Sequence, residues 1–154
     1  MKELPMYRLC FVALTFATIA IFARAEHLDD KKNSAKVEGV FVIPKEVASF
    51  DGRLVEIRLY QYDPRIAGKA ADLVEKVEFR DFSHTAGKET KKEFVIGAKA
   101  DVDPKRSYYV TFFILEKEKR THMGKCDHDK DGIGKVLTNG QPKIVSIKVA
   151  EIKR

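Results

Sequence analysis

Eight consecutive residues constrain this chain more than any others: Tyr108, Tyr109, Val110, Thr111, Phe112, Phe113, Ile114 and Leu115 are uncharged and aromatic, β-branched or aliphatic. Such a run favours extended backbone, because rings and branched side chains pack best on a pleated surface. It is far shorter than the roughly twenty apolar residues a membrane-crossing helix needs. Asp103 and Pro104 precede it, and the proline ring presets φ for a turn that delivers Tyr108. The stretch from Asp103 to Leu115 therefore reads as a turn followed by a central strand buried on both faces, covered by the rest of the chain.

The neighbouring segments repeat every second residue. From Arg53 to Tyr62, Val55, Ile57 and Leu59 fall on one face and Glu56, Arg58 and Tyr60 on the other, the pattern of a half-buried antiparallel strand. Val37 to Ile43 alternates more loosely and is stopped by Pro44. Lys92 to Ile96 places Phe94 and Ile96 together, and Lys143 to Ile152 does the same for Val145, Ile147 and Val149. Asp51-Gly52 and Asn139-Gly140 are turn signals, while the charged run Glu116 to Arg120 suits a hairpin tip leading to a return strand at Thr121 to Lys125.

The segment from Asp63 to Phe82 carries two periods. Asp63-Pro64 is a helix start and Ile66, Ala70, Leu73 and Val74 recur near a helical spacing, yet Val77 and Phe79 alternate with Lys76, Glu78 and Arg80. It divides into a short helical or turn insertion near Arg65 to Asp72 and a strand from about Leu73 to Phe82. Short strands separated by turn signals, about seven in all, with little helix, predict an all-β chain: a single immunoglobulin-like antiparallel β-sandwich.

The N-terminus has the form of a secretory signal. Lys2 and Arg8 precede an apolar core from Leu9 to Phe22, and Ala23-Arg24-Ala25 places small residues where a signal peptidase reads them. Cleavage is expected between Ala25 and Glu26. Residues 1–25 are then a signal peptide, 26–36 a flexible charged leader, and 37–154 the sandwich domain. The mature protein is expected to be exported, to the periplasm or the medium, with no stable membrane anchor. Cleavage removes Lys2, Arg8, Arg24 and Glu3, so 29 basic and 23 acidic residues become 26 and 22 and the net charge falls from +6 to +4. That mild charge, with acids interleaved among the bases, argues against a nucleic-acid partner. Cleavage also removes Cys10 and leaves Cys126 alone, as a free thiol or an intermolecular bridge.

One loop has chemical potential. Asp127, Asp129 and Asp131 alternate before Gly132, so their carboxylates could converge on a calcium ion, with the Ile133 carbonyl as a further ligand. Thr138 stands where a bidentate glutamate would close such a site, and the competing reading is a solvated acidic turn. His122, Met123, Cys126 and His128 offer a soft donor set suited to copper. Cys126 with His84, His122 or His128 could pair as nucleophile and base, but nothing in the sequence orients such a pair or supplies an oxyanion hole. Tyr60, Tyr62, Tyr108 and Tyr109 suit a binding surface or strand-face packing. The chain is therefore not expected to be an enzyme or to need a cofactor; calcium at the Asp127 loop is the leading metal alternative.

The order of these features resembles the YbaY-like and YscW-like exported lipoproteins, which include pilot chaperones of type III secretion. The matching pieces are the first strand with Gly39 and Pro44, the strand Leu54 to Tyr60, the stretch Asp103-Pro104-Lys105-Arg106-Ser107-Tyr108, and Val136-Leu137-Thr138-Asn139-Gly140 before the last strand. That family is typically anchored through a lipidated cysteine at the cleavage site, where this chain has Ala25 and Glu26. The resemblance implies a non-catalytic β-sandwich of the cell envelope that binds a protein partner, pilot-like or chaperone-like, through an edge strand or a sheet face. The alternative expectation is a metal-binding exported protein that uses the calcium loop.

Overall fold

A computed structural model describes residues 33–129 and 132–153. Residues 1–32, which include the expected signal segment and its expected cleavage site at Ala25 and Glu26, lie outside the described residues. The described strands are β1 (Val37–Ile43), β2 (Phe50–Tyr62), β3 (Asp72–His84), β4 (Thr90–Ile96), β5 (Ser107–Glu116), β6 (Lys119–Cys126), β7 (Lys135–Val136) and β8 (Ile144–Glu151). No helix occurs among the described residues. The all-β expectation holds.

The strands form one continuous coiled sheet in the order β3-β2-β5-β6-β8-β1-β4, with the short β7 beside β5. Its two ends, β3 and β4, approach each other and make the sheet nearly closed and barrel-like. Every pairing is antiparallel except that of β1 with β8, which is parallel. The antiparallel expectation is corrected at that pair. Parallel neighbours need a long crossover, and here the whole chain between the two strands supplies it.

β2 and β5 form the backbone of the sheet, pairing without a slip from Leu54 opposite Leu115 to Tyr62 opposite Ser107. Alternation sends Val55, Ile57 and Leu59 inward from β2, and Tyr108, Val110, Phe112 and Ile114 inward from β5. These meet Phe41, whose ring lies 4.8 Å from Phe112, 5.6 Å from Phe82 and 5.9 Å from Phe79. Burying one such ring contributes about 1.5–3 kcal/mol.

The expectation that β5 is buried on both faces is corrected. Tyr109, Thr111 and Phe113 point outward and are half-buried. Neighbours on the same surface shield them: Tyr60 stacks on Tyr109 at 5.2 Å, and the Arg120 guanidinium lies 4.0 Å from the Phe113 ring centre. An uncharged run can thus lie half in the core and half on the surface when rings and a long cation cover its outer side.

The turn before β5 forms as expected. Tyr108 is buried, and its hydroxyl accepts a hydrogen bond from the Asp103 amide at 2.9 Å, which ties the turn to the core. At the other end Lys117 and Glu118 both adopt positive φ, 46° and 69°. That is the mirror-image two-residue turn whose twist suits a tight hairpin.

Between Asp63 and β3 the insertion is turn, not helix. Asp63 accepts hydrogen bonds from the Arg65 amide and guanidinium, and Gly68 adopts a φ of 78°. Ile66 stays 52% exposed, so a helix here would have had no apolar face to bury. The end of the leader docks: Ala35 is buried and its amide donates to the Ala100 carbonyl at 2.8 Å. Gly97 permits this approach, because at its φ of 80° any Cβ would press on the Ala35 carbonyl.

Candidate functional site

The loop after β6 was the sharpest chemical candidate. Its Asp127 carboxylate accepts from Ser146 Oγ at 2.8 Å, and the Asp127 amide donates to the Ser146 carbonyl at 3.0 Å. Asp129 Oδ2 accepts from the Lys135 amide at 3.3 Å, and His128 Nε2 donates to the Lys135 carbonyl at 2.8 Å. Both carboxylates therefore brace the loop against β7 and β8. Ile133 is 47% exposed, and Asp131 lies outside the described residues. Among the described residues no three His, Cys, Asp or Glu side chains converge as a metal site.

The soft donor set is split by the strand. His122 and Cys126 point inward from β6, whereas Met123, opposite Phe113, points outward. Cys126 is 6% exposed. Burial, reinforced by Asp129 and Asp127, pushes its thiol up to about 11, so it remains protonated and poorly nucleophilic at neutral pH. A bridge to another molecule would require this sulfur to reach the surface.

Two buried histidines flank the Phe50 ring, His84 at 5.6 Å and His122 at 5.5 Å. The hydroxyl of Thr121 donates to the Ile114 carbonyl at 3.1 Å, so His122 Nδ1 donates to Thr121 Oγ1 at 3.0 Å. Burial first, and the Arg53 cation second, hold His122 below the ordinary histidine pKa. His84 Nε2 donates to the Val47 carbonyl at 3.3 Å and its Nδ1 accepts from Thr90 Oγ1 at 2.8 Å. These rings fasten strand ends together; neither has the other as an acid–base partner.

Two surfaces remain for recognition. The outer face of β2, β5 and β6 carries Tyr60, Tyr62, Tyr109, Thr111, Phe113 and Met123, whereas Tyr108 points inward. Beside it Glu56 is buried and paired with Arg58, with Lys76 Nζ 3.8 Å away. The second surface is the seam where the ends of the sheet meet. Among the described residues β3 pairs only with β2 and β4 only with β1, so the two strands face each other without a backbone ladder. Side chains cross instead: His84 to Thr90, the Lys92 ammonium 5.6 Å from the Phe79 ring centre, and Glu75 Oε2 accepting from the Gly97 amide at 2.5 Å.

Lys92 and Glu75 were not singled out from sequence, although a signal existed for the lysine. The alternation that puts Phe94 and Ile96 inward puts Lys92 on the same side. Glu75 had no such signal, because its partner belongs to a strand end more than twenty residues away.

No family model matches the chain, and no curated protein matches its sequence. Among solved structures its fold is similar to that of an alternative pilotin from the type II secretion system of Vibrio cholerae, with a TM-score of 0.52 and 18% identity. The match covers 77% of this chain and 97% of the pilotin. At that identity the likeness is one of fold, and it agrees with a pilot-like architecture.

Proposed function

We propose that this chain is a non-catalytic β domain of the cell envelope that binds another protein, in the manner of a secretion pilot or chaperone. The observation that carries the reading is the fold likeness to a secretion pilotin. The YbaY-like and YscW-like motifs and the signal-like N-terminus support it. In this reading the chain is exported and acts from the periplasm or outside the cell. The coiled sheet works as a flattened, immunoglobulin-like sandwich, its layers meeting at Phe41 and Phe112. Catalysis has no place in it: Cys126 is held as a thiol, and the buried histidines are bonded to hydroxyls and a carbonyl.

The test is photo-cross-linking in the native cell, with a photoreactive residue placed in turn at Val95, beside the seam, and at Tyr109, on the outer face. A discrete adduct to one envelope protein is expected from at least one position. Absence of any adduct from both overturns the reading. The alternative, calcium held by Asp127, Asp129, Asp131 and the Ile133 carbonyl, requires calcium to raise the melting temperature, since a ligand of the native state stabilises by mass action. An unchanged melting temperature at millimolar calcium removes it.

A further inference from the structure

We propose that the seam between β3 and β4 is a strand-addition site, in which an extended, largely apolar segment of a partner protein, bearing a carboxylate, pairs with the free edge of β4. This rests on the protein-binding reading above and names the surface and the chemistry of the partner. An unpaired strand edge offers a row of amides and carbonyls that another extended backbone satisfies along its length. β4 pairs with β1 from Ile43 opposite Thr90 to Val37 opposite Ile96 with no slip. Its other edge is therefore straight and regular.

The composition of the seam defines the guest. On the β3 side Val74, Val77, Phe79 and Phe82 pack on the core but stay only partly buried, so the core is incompletely covered there. On β4, Phe94, Val95 and Ile96 are consecutive apolar residues, with Val95 47% exposed. On the paired side of β4, over β1 and β8, a groove carries Val40 and Ile144, the latter 73% exposed, together with Glu38 and Glu93. A segment laid along the free edge of β4 would add apolar cover to Val95 and to the partly buried residues of β3.

Charge sets the remaining requirement. Lys91 is paired with Glu89 at 2.8 Å, and Glu78 is paired with both Lys76 and Arg80. Lys92 has no carboxylate partner among the described residues; its ammonium rests only on the Phe79 ring. An inward-facing lysine on an edge strand discourages indiscriminate pairing, and a guest that brings a carboxylate removes that obstacle. The crossing contacts are the Lys92 ammonium on the Phe79 ring and the Glu75 carboxylate on the Gly97 amide, so the seam opens by losing one side-chain-to-backbone hydrogen bond there and no backbone-to-backbone ladder.

The probe is the acetylated and amidated heptapeptide Val-Asp-Val-Val-Thr-Val-Thr, whose aspartate shares a face with two valines, with amide hydrogen exchange read along the protein. Saturating peptide is expected to slow alternate amides of β4 at least tenfold and to leave β5 and β6 unchanged. Lys92→Glu should weaken binding at least tenfold, and changing the peptide aspartate to lysine should restore it on that variant alone. Lack of binding, protection confined to the β2, β5 and β6 face, or indifference to the charge exchange overturns the proposal. So does a dimer of the protein alone that protects β4, since a second copy would then hold the edge. In the cross-linking experiment, adducts from Tyr109 but not Val95 would end this inference while leaving the protein-binding reading intact.

Discussion

The β2–β5 pair and the β3–β4 pair are both antiparallel neighbours in space, but they are held by different forces. The first is a continuous backbone ladder over a core of buried aliphatic and aromatic side chains. The second, among the described residues, has no ladder and is crossed by the His84–Thr90 hydrogen bond, the Lys92–Phe79 contact and the Glu75 carboxylate on the Gly97 amide. A ladder opens cooperatively, because each bond depends on the strand geometry its neighbours maintain. Isolated side-chain contacts open one at a time, so the seam should sample open states at a free energy below that of global unfolding.

The largest expected effect lies in the first region. Phe112→Ala removes a ring that is 1% exposed and packs on Phe41, and should cost about 3–5 kcal/mol. Denaturant melts would show this, and hydrogen exchange would quicken throughout the sheet. If exchange quickened only near β5, the cooperative picture of the centre would be wrong.

Glu75→Ala should cost less, about 1–3 kcal/mol, by leaving the buried Gly97 amide without its acceptor. Its exchange signature should be local: faster amides in β3, β4 and Gly97, with β2 and β5 unchanged. A uniform increase would mean that the seam is part of the global unit.

The next test uses pH at the end of the seam where His84 and His122 flank Phe50. Because His122 titrates below the ordinary value in the folded chain, the unfolded chain takes up this proton first as pH falls. The stabilisation is complete well above about pH 6.5 and declines below it, by at most about 1.4 kcal/mol per pH unit for one proton, until the folded-state pKa is passed. Melts from pH 7.5 to pH 5 should show this slope, and His122→Gln should flatten it. An equal slope in the variant would assign the effect elsewhere.

Smallest is Lys92→Met. Loss of its contact with Phe79 should cost about 0.5–1 kcal/mol, offset in part by the apolar replacement. The informative readout is light scattering, which should rise with concentration once the charge no longer guards the edge. A variant as monomeric as the parent would argue that the edge is closed by other means.

Much of the fold was legible along the chain because a strand writes its faces into alternate residues. The inward sets Val55, Ile57, Leu59 and Val145, Ile147, Val149 are as the alternation required. The run Tyr108 to Leu115 misled on one point: absence of charge signals that a residue tolerates burial, not that both faces are covered. The loop at Asp127 was legible as a motif, but the partners of its carboxylates, Ser146 and Lys135, depend on where β7 and β8 come to lie.

Local pattern by itself determined that this chain is β, which side chains of its alternating strands face inward and where most turns fall; the turn expected at Asp51-Gly52 is instead a bulge inside β2, where Gly52 takes a φ of 59°. Those properties follow from backbone geometry over a few residues, and the sequence carries them directly. Strand order, the parallel union of β1 with β8, the half-buried outer face of β5 and the unladdered seam were decided only in three dimensions. Each depends on contacts between residues far apart in the chain, whose selection rests on the packing of the whole core.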